Sequence, residues 1–143
     1  MMKNLVFLLL ATTLLFTACK KEDLTDYTNT MDITAHQWKF NSLFVDGWEG
    51  NMDWEENRYI LDFQTDTTLS MLLSVNSSFG SFRIPEKGEI NISKYGIITE
   101  VCCDLTIDTI LVKNFINVNS YKVLGNNLFL NGPNNLEIKF KQE

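Results

Sequence analysis

Cysteine and histidine are the side chains best suited to nucleophilic and metal chemistry, and this sequence has three cysteines and one histidine whose spacing does not favour it. Cys102 and Cys103 are adjacent, so on a strand their thiols point to opposite faces. A zinc site needs about four ligands, and the single histidine, His36, lies far away in the sequence. The next residue, Asp104, is not the cationic neighbour that activates a thiol. We expect two small buried hydrophobic residues and no metal site; a redox or metal role is the alternative.

A second group of candidate residues lies in the acidic stretch 46–57, which contains Trp48 and Trp54. The stretch is longer than the ~2–5 residues of a hairpin loop, so we expect a long connection between the first two strands. Three interpretations remain open. The rings cap the barrel while the acids face water, the rings contact a ligand or partner protein, or the acids hold Ca²⁺, although their spacing differs from that of an EF-hand loop.

The sequence shows no catalytic constellation. It has neither a G-x-S-x-G elbow nor a phosphate-binding glycine loop, and the neighbouring carboxylates Glu55 and Glu56 diverge on an extended chain. We interpret His36 as a polar residue at the start of a strand. The net charge of −6 argues against nucleic-acid binding. We therefore expect a protein that is not an enzyme, has no catalytic residues and uses no cofactor.

From His36 onward, apolar and polar residues alternate along most of the chain. This alternation is typical of an antiparallel sheet with one solvated face, which would position the candidate residues above. Short turn signals separate the runs. About eight consecutive strands favour closure, because a barrel removes exposed edges. We predict a mostly β fold, a small antiparallel β-barrel. Its apolar rows are Trp38/Phe40, Tyr59/Leu61/Phe63, Leu69/Met71/Leu73/Val75, Phe82/Ile84, Ile90/Ile92, Tyr121/Val123, Leu128/Leu130 and Leu136/Ile138/Phe140.

One segment, 104–119, departs from this period. Its apolar residues recur at spacings of three and four, which predicts one helix before the last three strands. Asp104 or Thr106 is available as N-cap. We expect the helix to pack over one mouth of the barrel through Ile107, Ile110, Leu111, Phe115 and Val118.

The N-terminal residues have the features of an export signal. An apolar run from Leu5 to Phe16 follows a short positive start and is too short to span a bilayer. The sequence Thr17-Ala18-Cys19 resembles the lipobox of bacterial lipoproteins. The resemblance implies a signal peptide over 1–18 and attachment of diacylglycerol, with palmitate, at Cys19. An ordinary secretory peptide is the alternative.

Residues 19–32 are mostly charged or polar and suit a solvated tether that holds the domain clear of the membrane. Within them, Lys20-Lys21-Glu22-Asp23 resembles a short charged signal that exports lipoproteins to the cell surface. The acyl chains make the anchor stable without a transmembrane helix. We expect a bacterial outer-membrane protein, held there by Cys19 and exposed on the cell surface if the export signal operates.

The domain over 33–143 resembles a known family. Five parts of the chain are together similar to the META domain of HslJ-like bacterial lipoproteins, a lipocalin-like small barrel: the strand of Trp38, the strand 59–63, the segment 75–82, the stretch 97–103 followed by a helix, and the closing hairpin 120–130. Related proteins often have a cysteine where this chain has Val75, so the usual disulfide partner of Cys102 or Cys103 is missing. We expect a non-enzymatic protein that contacts surface proteins, glycans or small hydrophobic compounds through one barrel mouth, and the tryptophans of the acidic stretch, Trp48 and Trp54, are the expected contact residues. The alternative, which the resemblance suggests, is a structural or stress-related accessory without a dedicated ligand.

Overall fold

The computed structural model describes residues 32–51, 58–98 and 106–143 of the chain. Cys19, Trp54, Cys102, Cys103 and Asp104 lie outside these residues. The elements, in chain order, are a 3₁₀ turn Ile33–Ala35, β1 Gln37–Val45, β2 Trp48–Asn51, β3 Ile60–Phe63, β4 Thr68–Leu72, β5 Ser77–Arg83, β6 Asn91–Ile98, α1 Thr106–Phe115, β7 Ser120–Leu124, β8 Asn127–Gly132 and β9 Leu136–Gln142.

The strands form one antiparallel sheet that is curled into a half-barrel, with α1 before the last three strands. The path of hydrogen-bonded neighbours runs β6-β5-β4-β3-β1-β9-β8-β7, and β2 pairs with β1 beside this path. The two ends of the path meet at one point, where Glu89 and Ser120 form a bridge. There Tyr121 N–H donates to the Gly88 carbonyl over 2.8 Å. The predicted fold class is confirmed, including the position of the helix.

The core fills the inner face of the sheet because apolar residues occupy every second position along the strands. Trp38 is fully buried, and its indole N–H donates to the Ile33 carbonyl over 2.9 Å. This bond fixes the 3₁₀ turn on β1. The other large side chains with almost no exposure include Phe63, Leu69, Met71, Leu111, Phe115 and Phe140.

Two of the apolar rows predicted from the sequence extend beyond the residues that face the core. Val75 and Ile84 were expected on the inner face, but they are 41% and 39% exposed. Both follow the end of a strand, since β4 ends at Leu72 and β5 ends at Arg83. Alternation lasts only as long as the extended backbone, and therefore it does not place residues in a turn.

The helix is shorter than the sequence pattern indicates, Thr106–Phe115 within the predicted 104–119. Phe115 is followed by a turn in which Val118 N–H donates to the Phe115 carbonyl, and Val118 remains buried. No helix in the described ranges is long and apolar enough to cross a membrane.

Candidate functional site

Helix α1 packs across one end of the half-barrel. Leu111 and Phe115 are fully buried in the core, and the ring of Phe115 stacks on Tyr95 of β6 with centroids 4.7 Å apart. Asp108 in the first turn and Lys113 in the last turn both complement the helix dipole. The helix therefore closes this mouth with an apolar stripe that also contains one acid.

That acid, Asp108, is completely buried. Its carboxylate accepts a hydrogen bond of 2.5 Å from the Tyr59 hydroxyl and another from the Ser74 hydroxyl. Tyr59 immediately precedes β3, and Ser74 lies in the turn between β4 and β5. A buried carboxylate is costly unless it is hydrogen-bonded, so these contacts let Asp108 attach the helix to two separate parts of the sheet.

A second polar pair, the buried Ser78 and the partly buried Tyr95, lies beneath the helix. The hydroxyls of Ser78 and Tyr95 share a hydrogen bond of 2.6 Å, and Ser78 also donates to the Met71 carbonyl. Burial raises the pKa of Tyr95 well above its ordinary value, and the bond with Ser78 opposes this only in part. Tyr95 therefore keeps its proton throughout the physiological pH range.

The hydrogen bonds of this cluster fix the position of the helix on the sheet. Aspartate, tyrosine and serine side chains transfer protons in many enzymes. Here the Asp108 carboxylate lies inside the core, and it is hydrogen-bonded to Tyr59 and Ser74 of the sheet and its turns. Within residues 32–51, 58–98 and 106–143, no three histidine, cysteine, aspartate or glutamate side chains converge on a point where a metal ion would bind.

The single histidine lies away from this cluster. His36 precedes β1, as predicted, and its Nδ1 is 3.0 Å from the side-chain nitrogen of Gln142 near the C-terminus. The imidazole also meets the ring of Trp38 edge to face, with centroids 6.2 Å apart. These contacts join the first and last strands at their ends.

Trp48 does not lie in a long connection, and that prediction was wrong. Asp46 and Gly47 have φ angles of 49° and 78°, the signature of a tight two-residue turn, so the chain reverses at once and Trp48 begins β2. Trp48 pairs with Val45, and its side chain is 36% exposed. Trp54, the second predicted contact residue, is outside the described residues.

The Trp48 ring lies at the rim of the mouth that α1 covers. A Cβ atom added to Gly50 would be 2.7 Å from Cζ3 of Trp48 and 2.8 Å from Cδ1 of Ile107. The ring and the first turn of the helix thus share the space above the Gly50 backbone. The side of the ring nearest Gly50 is covered and the rest faces solvent, and contact of Trp48 with a ligand or partner remains a prediction.

Sequence reasoning missed the cluster of Asp108, Tyr59 and Ser74. A signal was present, because Asp108 occupies the same helical stripe as Leu111 and Phe115. A single acid on an apolar stripe predicts a buried, satisfied carboxylate. Its partners come from distant parts of the chain, and nothing in the local sequence identifies them.

Comparison with known proteins reveals similarity of structure alone. No protein-family model matches the chain, and no curated protein matches it. An NMR structure of a protein from Burkholderia xenovorans superposes with a TM-score of 0.63 at 14% identity, covering 78% of this chain and 83% of that one. A crystal structure of a DUF4847-family protein from Bacteroides vulgatus gives a TM-score of 0.56 at 12% identity, covering 76% and 93%. At these identities the comparison establishes a shared fold.

Proposed function

We propose that the protein is a lipid-anchored protein of the bacterial outer membrane whose META-like domain binds surface proteins or glycans without catalysis. Cys19 is the proposed attachment site for the lipid, and residues 19–32 connect it to the domain. The observation that supports binding is the place of Trp48, at the rim of a filled half-barrel with 36% of its side chain exposed.

Because side chains of the described residues occupy the interior, we expect a ligand or partner to bind at the rim. Trp38, Phe63 and Phe140 are fully buried along the sheet, and Phe115 closes the end from the helix. Small barrels of this size are commonly filled by their own side chains. An exposed tryptophan on a rigid hairpin loses little conformational entropy on binding, and such an anchor contributes about 2 kcal/mol or more at the centre of an interface.

The test of binding compares two exposed aromatic residues. The mature protein with Cys19→Ser, which carries no lipid, is used to capture surface proteins and glycans from the native envelope. Trp48→Ala should weaken that capture, whereas Phe79→Ala should not, because Phe79 is 47% exposed on the outer face of β5, a different strand from that of Trp48. Equal capture by both variants would contradict the role of Trp48.

Stability is measured beside capture, because Trp48 also covers the mouth. We expect Trp48→Ala to lower the free energy of unfolding by only ~1 kcal/mol, since part of the ring already faces water. A loss of several kcal/mol, with the circular dichroism of the sheet also altered, would make Trp48 a core residue.

The anchor has a separate test. Cys19→Ala should abolish incorporation of labelled fatty acid and release the protein from the outer membrane, because no other acyl attachment is proposed. Continued labelling of the variant in the membrane fraction would disprove the anchor without bearing on Trp48.

The second candidate function is a structural or stress-related accessory with no dedicated ligand. The packed core of the described residues favours it, because side chains that pack against one another in this way need no ligand for stability. Unchanged capture by Trp48→Ala, together with unchanged stability, would favour this candidate over a binding protein.

A further inference from the structure

An open groove lies on the outer side of β5 and β6, at the end of the sheet opposite to α1. Thr67, on its border, precedes β4, whereas Ser74, which contacts the helix, follows it. The groove has a volume of about 390 Å³, within the usual range of small-molecule sites. It is lined by Thr67, Ser81, Phe82, Arg83, Asn91, Ser93 and Lys94.

The lining has a definite chemical character. Arg83 and Lys94 are its two charged residues, and both are cationic. Apart from the buried Phe82, the other lining residues carry hydroxyl or amide groups. The groove thus offers positive charge beside hydrogen-bonding groups, in a chain whose net charge is −6.

The acid nearest in sequence to the groove, Asp66, is engaged within its own turn. Its carboxylate accepts bonds from the Thr68 hydroxyl at 2.6 Å and the Thr68 N–H at 2.9 Å. These two bonds hold the pKa of Asp66 below its ordinary value. Asp66 therefore stabilises the β3–β4 turn, and it is not among the residues that line the groove.

The backbone around the groove is held in uncommon conformations. Thr67 has a φ of 71° and Lys94 a φ of 52°, in the left-handed region that β-branched residues in particular avoid. The pairing of β5 with β6 shifts between Phe79 and Ser81, opposite Lys94. A bulge of this kind changes the direction of a side chain. The carbonyl of Thr67 accepts from Phe82 N–H over 2.9 Å, which fixes one wall.

We propose that this groove binds a small anionic sugar, of the class of uronic acids and sugar phosphates. The guanidinium of Arg83 pairs with the carboxylate or phosphate through two parallel hydrogen bonds, and Lys94 adds a second positive charge. Ser81, Asn91 and Ser93 bind the sugar hydroxyls. The site is separate from Trp48, and its occupation depends on neither the lipid anchor nor the contact role of that residue.

The experiment titrates the mature protein, with Cys19→Ser, by calorimetry with glucuronate, glucose 6-phosphate, glucose and inorganic phosphate. Both anionic sugars should bind, and neutral glucose should bind at least about tenfold more weakly because it lacks the charge-assisted bonds. The relative affinities of glucuronate and glucose 6-phosphate identify the preferred anion. Binding of glucose as tight as that of glucuronate would overturn the proposal.

Three variants locate the site. Arg83→Gln should lower the affinity for glucuronate about tenfold or more. Lys87→Gln removes the same charge from the exposed β5–β6 turn, outside the groove lining, and should leave the affinity unchanged. Ser93→Ala keeps the charge and should weaken glucuronate binding while inorganic phosphate binding stays the same. Equal affinity of Arg83→Gln and Lys87→Gln, or no effect of Ser93→Ala on glucuronate, would overturn the assignment.

Discussion

Tyr59 and Asp108 are 49 positions apart in the sequence, and the hydroxyl of Tyr59 donates a hydrogen bond of 2.5 Å to the carboxylate of Asp108. The bond joins the residue before β3 to the first turn of α1. Ser74 donates to the other carboxylate oxygen. A helix that covers a barrel mouth by apolar packing alone can slide, whereas a buried carboxylate with directional bonds specifies one position.

The first prediction concerns the removal of this carboxylate. Asp108→Ala should lower the free energy of unfolding by about 3 kcal/mol, because it deprives the Tyr59 and Ser74 hydroxyls of an acceptor. Glu86→Ala, which removes an exposed carboxylate from the β5–β6 turn, should change it by less than ~0.5 kcal/mol. Urea denaturation measures both. Similar values for the two variants would show that the cluster does not stabilise the fold.

The second prediction isolates one bond of the cluster. A double-mutant cycle of Tyr59→Phe and Asp108→Asn should give a coupling energy of about 1 kcal/mol or more, since the two side chains are in direct contact. The same cycle with Ser93→Ala in place of Tyr59→Phe should be additive, because Ser93 lies at the groove. Additivity in both cycles would mean that the bond between Tyr59 and Asp108 contributes no coupling.

The third prediction is a loss of stability at alkaline pH. Burial raises the pKa of Tyr95 above its ordinary value of about 10, so above that pH the folded protein keeps a proton that the unfolded chain releases. The stability contributed by neutral Tyr95 is fully present below pH ~10 and is lost as the pH rises toward the higher pKa of the folded state. Its contribution to the slope is at most ~1.4 kcal/mol per pH unit.

Tyr95→Phe removes this titration. Above pH ~10, the free energy of unfolding of the variant should fall less steeply with pH than that of the native protein. Chemical denaturation at several pH values measures the two slopes. Parallel curves would show that Tyr95 ionises equally in both states.

The fourth prediction tests the place of the Trp48 ring. In Gly50→Ala the new methyl group would collide with Trp48 and with Ile107, whose Cδ1 would be 2.8 Å away, so the ring must move outward. The indole N–H resonance of Trp48, assigned by its loss in Trp48→Phe, should shift in the NMR spectrum. Gly96→Ala is the control, since nothing lies within 4 Å of its added Cβ. A resonance that shifts in neither variant would place the ring elsewhere.

The sequence predicted those parts of the fold that depend on repeated local patterns. Alternation placed Leu61, Met71 and Ile138 on the inner face, because burial of one sheet face repeats every two residues. The stripe of Leu111 and Phe115 predicted the helix for the same kind of reason. These patterns hold within an element and end with it, which is why Val75 and Ile84 were misplaced.

The candidate sites depend on contacts between distant residues, and the sequence predicted less of them. Asp108 meets Tyr59 and Ser74 only after the sheet has curled and the helix has docked. The place of Trp48 was a different kind of error. The pair Asp46-Gly47 is a strong signal for a two-residue hairpin turn, and this local signal, not the length of the acidic stretch, determines where the chain reverses.

The last prediction tests that turn, which places Trp48 on a strand. Gly47 has a φ of 78° and nothing lies within 4 Å of an added Cβ, so Gly47→Ala imposes a backbone cost without a steric clash. We expect the free energy of unfolding to fall by about 1 kcal/mol, the usual cost of a side chain in the left-handed region. Asp46→Asn is the matched control, since asparagine also adopts the φ of 49° found there, and it should be nearly neutral. Urea denaturation distinguishes the two, and an unchanged midpoint for Gly47→Ala would mean that the hairpin does not need this turn.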